Sequence, residues 1–227
     1  MSTTTDMSGM LSSQIFQDLN CTTKTFDEGA VIFREGEIPS GFLWIQEGNA
    51  CLFKSIHKVS RTALDTHILS IVGPGNFLGY KAFLLGQNHQ ISARALRKTK
   101  GYWISAEIWK QANGTKLNVE HAITKQCIRQ LISLQQSKTE SYMSSVGKRV
   151  AQVLLLLHRD FGTPIEGGGN VEIQVNLSRK EMAQLASTID ETFVRHITDL
   201  KQKGILSARG RKIVICKLEE LRSFASN

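Results

Sequence analysis

The sequence lacks the patterns that would indicate a cofactor, secretion or a membrane. It has four cysteines (Cys21, Cys51, Cys127 and Cys216), and they form no C-x-x-C pair that could hold zinc or an iron–sulfur cluster. We interpret them as mostly buried thiols in a reducing compartment. No basic segment followed by an apolar core marks a secretory signal at the N-terminus. The longest apolar run, residues 153–157, is far too short to span a bilayer. We therefore expect a soluble cytoplasmic protein with no metal, cofactor or membrane partner.

Charge favours an anionic partner. The 227 residues carry a formal net charge of +8 and a pI near 9.4, which is typical of proteins that bind nucleic acid or an anionic surface. Residues 147–227 contain 13 basic and 9 acidic side chains, so half of the net charge lies in this shorter C-terminal part. An excess of this size also serves solubility alone, and the length permits one large or two ordinary domains.

The stretch from residue 176 to residue 215 carries the strongest structural signal. Ser178 and Glu181 form an S-x-x-E capping box at the start of one short helix, and Thr188 and Glu191 form a T-x-x-E box at the start of the next. Apolar residues at spacings of three and four give the second helix a buried face. A glycine ends that helix, and two short β segments then flank the basic sequence A-R-G-R-K. The pattern predicts a winged helix-turn-helix.

The second of these helices is the predicted recognition helix for the major groove of DNA. Arg195 can donate a bidentate pair to guanine, Glu191 can accept from a cytosine amino group, and Asp190 lies beside them. Simpler interpretations stay open: Glu191 as a helix cap, Asp190 as a partner of the helix dipole, Arg195 as a solvated residue. Eight further residues are predicted to meet phosphates: Ser178, Arg179, Lys180, Thr192, Lys201, Arg209, Arg211 and Lys212.

The preceding part of the chain predicts an all-β unit and a long helix. Short apolar strands separated by glycines fill residues 26–103, as in a roll or barrel. A helix over residues 117–145 follows. Its apolar stripe indicates either a face packed on the core of the same chain or the seam of a two-helix dimer. Gly147 is predicted as a hinge before another helix, and the alternating segment V-E-I-Q-V-N-L predicts a strand ending at Leu177. The stripe consists of Val119, Ile123, Cys127, Leu131 and Leu134.

In their order and spacing, these segments resemble the CRP/FNR superfamily of bacterial transcription regulators over about residues 20–217. The resemblance rests on F-D-E-G-A-V-I-F-R-E-G-E, F-L-W-I-Q-E-G-N-A, G-P-G-N-F-L-G-Y, G-K-R-V-A-Q-V-L-L-L-L and L-S-R-K-E-M-A-Q-L-A. It implies an α+β fold, with a cyclic-nucleotide-binding-type β-roll and dimerisation helix in residues 1–146 and a winged helix-turn-helix in residues 147–227. It further implies a non-enzymatic homodimer on a pseudo-palindromic double-stranded DNA operator, with RNA polymerase as a partner.

The recognition helix departs from the family at one position. It reads D-E-T-F-V-R where relatives usually have R-E-T-x-x-R, so Glu191 and Arg195 match the residues that read a cytosine and a guanine. Asp190 replaces the first arginine. A carboxylate cannot donate to guanine and is repelled by phosphate. We therefore expect a half-site that keeps the base pairs read by Glu191 and Arg195 and changes the neighbouring one.

The effector pocket departs further. Relatives that bind cyclic AMP carry F-x-G-E-L, then R-S-A, then a Thr-Ser pair on the dimer helix. Here Tyr80 replaces the glutamate, Gln90 or Ile91 takes the place of the arginine, and Leu134 with Gln135 replaces the hydroxyl pair. A cyclic phosphate without a charged partner loses its strongest hydrogen bonds, so cyclic AMP is not the expected effector. The corresponding pocket positions are Gly79, Tyr80, Lys81, Gln90, Ser92, Ala93, Arg94, Leu134 and Gln135.

Several other signals stay open as alternatives. The pocket could take another small molecule or be filled by its own side chains, and an anion could bind the amides after Gly79. An FNR-like cluster needs closely spaced N-terminal cysteines, and only Cys21 lies there. Haem ligation would use His, Cys or Met, but scattered histidines such as His57, His67 and His89 are more often surface or core residues. Cys127 could sense thiols across a two-fold axis, although an apolar setting favours an inert thiol.

Two other classes of function fit a β-roll less well. A metal-dependent cupin enzyme builds its site from an H-x-H pair with a further Glu and His, and the sequence contains no H-x-H. A cyclic-nucleotide-responsive regulatory module would be attached to a kinase or a channel, and neither a catalytic domain nor a membrane span is expected here. The sequence therefore predicts a DNA-binding regulator whose effector it does not identify.

Overall fold

A computed structural model describes residues 13–57, 64–112, 116–166 and 169–226. The chain divides into two compact units. The first contains the chain up to Leu52 together with Ile71–Gln135, and the second contains Phe53–Ser70 together with the chain from Gln136 onwards. Within the described ranges, none of the helices has the length and apolar character needed to cross a bilayer.

Short strands dominate the N-terminal part, as the glycine-punctuated apolar segments predict. They form two four-stranded sheets, with the orders β1-β8-β3-β6 and β2-β7-β4-β5. In the first sheet, β3 pairs antiparallel with both β8 and β6. The strands are β1 (Thr22–Phe26), β2 (Val31–Phe33), β3 (Gly41–Glu47), β4 (Ala50–His57), β5 (Leu64–Val72), β6 (Phe77–Leu78), β7 (Ser92–Ala95) and β8 (Thr99–Ser105).

Three short helices accompany the roll, and one of them completes its core. They are α1 (Ser13–Asp18), α2 (Tyr80–Leu85) and α3 (Ala106–Gln111). The ring of Phe16 on α1 is fully buried and stacks on Trp44 and Tyr102, with centroid distances of 4.6 and 5.3 Å. Burial of such aromatic rings is a large part of the stability of a core.

The long helix α4 (Lys116–Met143) follows the predicted span, but its apolar stripe is divided between two environments. Val119 and Ile123 pack into the aromatic core of the roll. Ile123, predicted as part of a dimer seam, is 5% exposed and therefore belongs to the interior of its own chain. Leu131 and Leu134, further along the helix, are 58% and 66% exposed. The first half of α4 is thus a core element, and the second half presents apolar side chains at the surface.

The break after α4 does not lie at the predicted hinge, Gly147. The next helix, α5 (Val146–Phe161), begins after Ser145, whose hydroxyl accepts a hydrogen bond from the Lys148 amide. Gly147 is therefore inside α5. A Cβ atom there would lie 3.2 Å from His196 Cε1 and 3.3 Å from a ring carbon of Phe224. This glycine allows close packing of α5 rather than bending.

The C-terminal part contains α5, the helices α6 (Arg179–Leu185) and α7 (Asp190–Gln202), and the final helix α8 (Leu218–Ser226). A four-stranded sheet has the order β11-β12-β10-β9. The strand predicted to end at Leu177 stops at residue 173, because only Val171–Ile173 pair with the neighbouring strands. The strands are β9 (Gly162–Pro164), β10 (Val171–Ile173), β11 (Leu206–Arg209) and β12 (Lys212–Ile215).

Candidate nucleic-acid interface

The helix α6 begins with the predicted capping box. The Ser178 hydroxyl accepts a hydrogen bond from the Glu181 amide at 3.2 Å, and the Ser178 amide donates to the Glu181 carboxylate at 2.8 Å. Both bonds satisfy backbone groups that the first turn of a helix leaves free. The Ser178 hydroxyl, predicted to contact phosphate, is thus already part of the cap.

The second predicted capping box, from Thr188 to Glu191, is wrong. The helix α7 begins one residue later than that box requires, and its N-cap is Ile189, which has no side-chain oxygen. Thr188 lies in the turn that follows α6, where its amide donates to the Ala183 carbonyl at 3.0 Å. Glu191 is exposed in the first turn of α7, without the reciprocal bond that a capping box would give it.

The two faces of α7 differ sharply. Phe193, Ile197 and Leu200 are buried, which fixes the helix on the domain core. The polar residues Asp190, Glu191, Arg195 and Thr198 are exposed, as is Val194, while Thr192 is half-buried. The alternation follows from helical periodicity, since residues three or four apart share a face. One side of α7 therefore presents two carboxylates and a guanidinium to the surroundings.

Arg149, which the sequence reasoning missed, holds the turn between α6 and α7. Its guanidinium donates to the carbonyls of Ala186 at 3.0 Å and Ser187 at 3.3 Å. It also donates to the Ser144 carbonyl at 2.8 Å, just after α4. Ser187 has a φ of +50°, a conformation that costs energy for a residue with a side chain. The guanidinium stabilises this turn, and the sequence offered no signal for it beyond a basic residue in α5.

The strands β11 and β12 form the predicted wing. Arg209 pairs with Lys212 across a tight turn, in which Gly210 has a φ of +58°. Arg209, Arg211 and Lys212 are all exposed, so the turn presents three cations. Lys212 Nζ also lies 3.2 Å from the Glu172 carboxylate on β10. Lys180 and Lys201, the other predicted phosphate ligands with ammonium groups, are exposed on α6 and α7.

Arg179 differs from the other predicted phosphate ligands, because its guanidinium bonds within the domain. Its Nη2 atom donates to the Gly210 carbonyl at 3.0 Å and to the Lys212 carbonyl at 3.4 Å. Burial lowers the pKa of Arg179, and the negative charge of Asp190 acts in the opposite direction. The first residue of α6 is thus hydrogen-bonded to the turn of the wing.

Gln184 is a second unpredicted contact of α6. Its side-chain carbonyl accepts a hydrogen bond from the Ile68 amide at 2.8 Å, and its side-chain amide donates to the Thr66 carbonyl at 3.2 Å. Both partners lie on β5, the last strand in its sheet. A single glutamine side chain therefore pairs with the backbone of an edge strand, as a neighbouring strand would.

The segment predicted as an effector pocket contains a buried histidine that the sequence reasoning did not place there. The ring of His89 is 6% exposed and stacks on Phe33 with a centroid distance of 4.1 Å. Burial lowers the pKa of His89, while the charge of Glu37 acts to raise it. Gly79 has a φ of +78°, and a Cβ atom there would lie 3.2 Å from the His89 ring and 3.4 Å from the Phe33 ring. His89 thus packs directly against the glycine that precedes α2.

Tyr80, which stands where relatives of this type have a glutamate, is directed toward α4. Its side chain is buried, and its hydroxyl donates to the Gln130 side-chain carbonyl at 3.2 Å. The same hydroxyl lies 3.4 Å from the Cys127 sulfur. Burial, followed by the contact with Cys127, raises the pKa of the Tyr80 hydroxyl. Cys127 itself is exposed, contrary to the expectation of a thiol in an apolar setting.

The other predicted pocket residues are distributed between interior and surface. The Ser92 hydroxyl accepts a hydrogen bond from the Glu35 amide at 2.9 Å, and Ala93 is fully buried. The Gln90 side-chain amide donates to the nearby Asn88 carbonyl. Arg94 is half-buried, whereas the exposed residues are Lys81, Gln90, Leu134 and Gln135. The structure therefore brings Tyr80 to α4 and Gly79 to His89, and it leaves Leu134 and Gln135 at the surface of α4.

A β-roll, a long helix and a winged helix-turn-helix with an exposed polar recognition face together define a class of DNA-binding regulators. Residues 23–112 match the family model of the cyclic nucleotide-binding domain, and residues 148–224 match that of the Crp-like helix-turn-helix domain. The chain belongs to the CRP/FNR superfamily of DNA-binding transcription regulators, which are not enzymes.

Similar proteins support this placement at low identity. A "CRP-like cAMP-activated global transcriptional regulator" of Mycobacterium tuberculosis is 24% identical over 86% of this chain and 84% of its own length. A "Global nitrogen regulator" of Synechocystis is 25% identical, over 85% of this chain and 83% of the relative. A crystal structure of a CRP/FNR-family transcriptional regulator from Thermus thermophilus superimposes with a TM-score of 0.73 at 21% identity, covering 91% of this chain and 99% of the other. The last likeness shows a shared fold.

Proposed function

We propose that this regulator acts as a homodimer, reads a pseudo-palindromic operator through α7, and does so without cyclic AMP. RNA polymerase is the partner we propose at its target promoters. The observation that carries the operator proposal is the exposed polar face of α7. Arg195 offers the donor geometry that guanine accepts, and Glu191 offers an acceptor for a cytosine amino group. Lys180, Lys201, Arg209, Arg211 and Lys212 supply positive charge for the phosphates.

Selection of bound sequences from a random double-stranded DNA library tests the operator proposal. We expect an inverted repeat with half-site centres about 10 base pairs apart. The base pairs read by Glu191 and Arg195 should be fixed in each half-site, and the pair beside Asp190 should differ from that of relatives with arginine there. A library in which no sequence is enriched would contradict the proposal.

The dimer proposal is supported by the exposed apolar side chains in the second half of α4. Cys127, Leu131 and Leu134 follow one another at spacings of four and three, as residues of a helical seam do, and Ile128 adjoins them. Contiguous exposed apolar side chains usually mark a protein interface. Sedimentation equilibrium at micromolar concentration should give twice the monomer mass, and a monomer across that range would refute the proposal.

Independence from cyclic AMP is supported by the internal contacts of the pocket segment. The Tyr80 hydroxyl is engaged by Gln130, and the Ser92 hydroxyl by the Glu35 amide. The uncharged imidazole of buried His89 would give a cyclic phosphate no cationic partner there. The alternative is activation by cyclic AMP, as the name of the mycobacterial relative states for that protein.

Calorimetric titration with cyclic AMP and cyclic GMP, together with operator binding by the ligand-free protein, distinguishes independence from cyclic AMP from activation by it. We expect no micromolar binding of either nucleotide and no gain in operator affinity. Micromolar binding of cyclic AMP that raises operator affinity would establish the alternative. Tight operator binding by the ligand-free protein would favour a pocket filled by its own side chains.

A further inference from the structure

Arg179 occupies a position between three structural elements. It is the first residue of α6, and its guanidinium reaches two carbonyls that flank Arg211 in the turn of the wing. Its other terminal nitrogen lies 3.5 Å from the Met182 sulfur, one turn along α6. The guanidinium is thus fixed by groups of the domain on both sides, and α6 itself is fixed by its capping box. If the Arg179 guanidinium moved to a DNA phosphate, these hydrogen bonds to the wing would be lost.

Asp190, the first residue of α7, carries a negative charge that acts to raise the pKa of Arg179. An arginine at residue 190, as relatives usually have, would place a second positive charge beside Arg179. Like charges close together repel most strongly where they are partly shielded from water. A carboxylate at residue 190 avoids this repulsion.

We propose that Arg179 is a positioning residue that anchors the turn of the wing to the start of α6, instead of contacting DNA directly. In this role Arg179 presents Arg209, Arg211 and Lys212 to the phosphates. The proposal rests on the proposed contact of the wing cations with DNA. It removes Arg179 from the phosphate ligands.

Hydrogen exchange in the DNA-free protein tests the anchor without any assumption about DNA. Arg179→Lys keeps the charge but cannot bridge two carbonyls as the planar guanidinium does. We expect faster exchange at residues 209–212 in Arg179→Lys and Arg179→Ala, and unchanged exchange within α7. Exchange at the wing that stays at the parent rate in both variants would overturn the proposal.

DNA binding as a function of salt separates an anchor from a phosphate ligand. A lost phosphate contact reduces the slope of log K against log salt by about 0.9, and a lysine substitution would largely restore it. An anchor predicts that Arg179→Lys loses as much affinity as Arg179→Ala. It also predicts that Arg179→Ala changes affinity by less than about twofold in a variant that already carries Arg209→Ala and Arg211→Ala. Lys180→Ala, next in sequence, is the control for a phosphate ligand, with an additive effect in that background.

The outcomes are distinct. Restoration of parent affinity by Arg179→Lys, with an additive effect of Arg179→Ala in the variant that carries Arg209→Ala and Arg211→Ala, would identify Arg179 as a phosphate ligand. If Arg209→Ala together with Arg211→Ala left the affinity for DNA unchanged, the proposed DNA contact of the wing would be wrong. The hydrogen-exchange data would still show whether Arg179 anchors the wing to α6. If Arg179→Ala does not fold, the hydrogen exchange and DNA affinity of Arg179→Lys are compared with those of the parent protein instead.

Discussion

The recognition helix and the effector segment treat their polar side chains in opposite ways. On α7, Glu191 and Arg195 are directed outward and have apolar neighbours of the same helix buried beneath them. In the roll, Tyr80 and Ser92 occupy positions associated with ligand contact in relatives, yet both hydroxyls bond to groups of their own chain. A binding surface keeps its polar groups available, whereas a filled interior satisfies them, because buried groups without partners are costly. The comparison supports the proposal of a regulator that reads DNA through α7 and does not respond to cyclic AMP.

The second half of α4 resembles the recognition helix, because it also presents side chains that are available to a partner. Its apolar side chains lie at the surface although the first half of the same helix supplies the core. An exposed polar face suits DNA, and an exposed apolar stripe suits a second protein chain. Both features predict partners, and substitutions there should affect assembly or DNA binding more than folding.

The largest effect is expected from Leu131→Lys. If this residue lies in a dimer seam, the substitution places an unpaired charge in each of two facing positions, and the dimer should dissociate. Because a two-fold operator needs both recognition helices, operator affinity should fall by at least about a hundredfold. Light scattering and gel-shift titration measure the two effects. Leu85→Lys on α2 is a matched control, since Leu85 is 69% exposed but lies outside the stripe.

A monomeric parent protein, or a dimeric Leu131→Lys variant with full operator affinity, would place the dimer contact elsewhere.

Arg195→Ala should produce the next largest effect. The loss of a bidentate contact with guanine removes about 1–3 kcal/mol of discrimination per half-site, so specific binding should approach non-specific binding. Gel-shift titrations with operator and random DNA measure the ratio. Arg222→Ala, an exposed arginine of α8 that pairs with Glu219 at 2.8 Å, removes the same charge away from α7 and should leave discrimination intact. Equal discrimination by the parent and Arg195→Ala would disprove the assignment of α7.

Tyr80→Phe should act on stability instead of on ligand response. The substitution removes the hydroxyl that bonds to Gln130, at a cost of about 0.5–1.5 kcal/mol. Denaturant unfolding of Tyr80→Phe, Gln130→Ala and the double variant should show a non-additive effect, because the two residues share one bond. Strict additivity would mean that the contact contributes nothing to the stability of the roll.

The sequence predicted patterns that depend on local periodicity and failed where tertiary contacts decide. Short strands, the two helices and the wing follow from alternation, helical spacing and glycine positions. The capping box at Ser178 was also predictable, since it lies within four residues. The false box at Thr188 matched the same motif, but a backbone bond to Ala183 holds this residue in the turn that follows α6. Gly147 resembled a hinge because its packing neighbour His196 lies far away in sequence.

The side chains that hold the site together were the least predictable part. Arg149 and Arg179 are indistinguishable from surface cations in the sequence, since the carbonyls that they contact in the turn before α7 and in the wing lie about 30 to 40 residues away. His89 was classed with scattered histidines, and its burial depends on Phe33 and Gly79. The helical period predicts which side chains of a helix are exposed. Hydrogen bonds between segments that are distant in sequence can be identified only from the folded structure.

The smallest expected effect is the pH dependence contributed by His89. Burial lowers its pKa below the ordinary value of 6.5, so the unfolded chain binds a proton at a higher pH than the folded protein. The resulting stability is fully present above about pH 6.5 and declines as the pH falls toward the lowered value. His158, whose pKa is lowered by burial and by Arg222, contributes in the same direction and stays in place. His89→Phe keeps an aromatic ring beside Phe33 and should lose less stability between pH 7.5 and pH 5.5 than the parent protein.

Denaturant unfolding at both pH values measures this difference, with His121→Gln on the exposed surface of α4 as the control. If His89→Phe and the parent protein lost equal stability on acidification, the pKa of His89 would not be lowered by folding, and the imidazole would take up a proton in the folded roll as readily as in the unfolded chain. At low pH, the protonated His89 beside Gly79 would then offer an anion the positive charge that Tyr80 and Gln90 do not supply. In that respect the pocket segment would resemble the recognition helix, whose polar groups are available to a ligand.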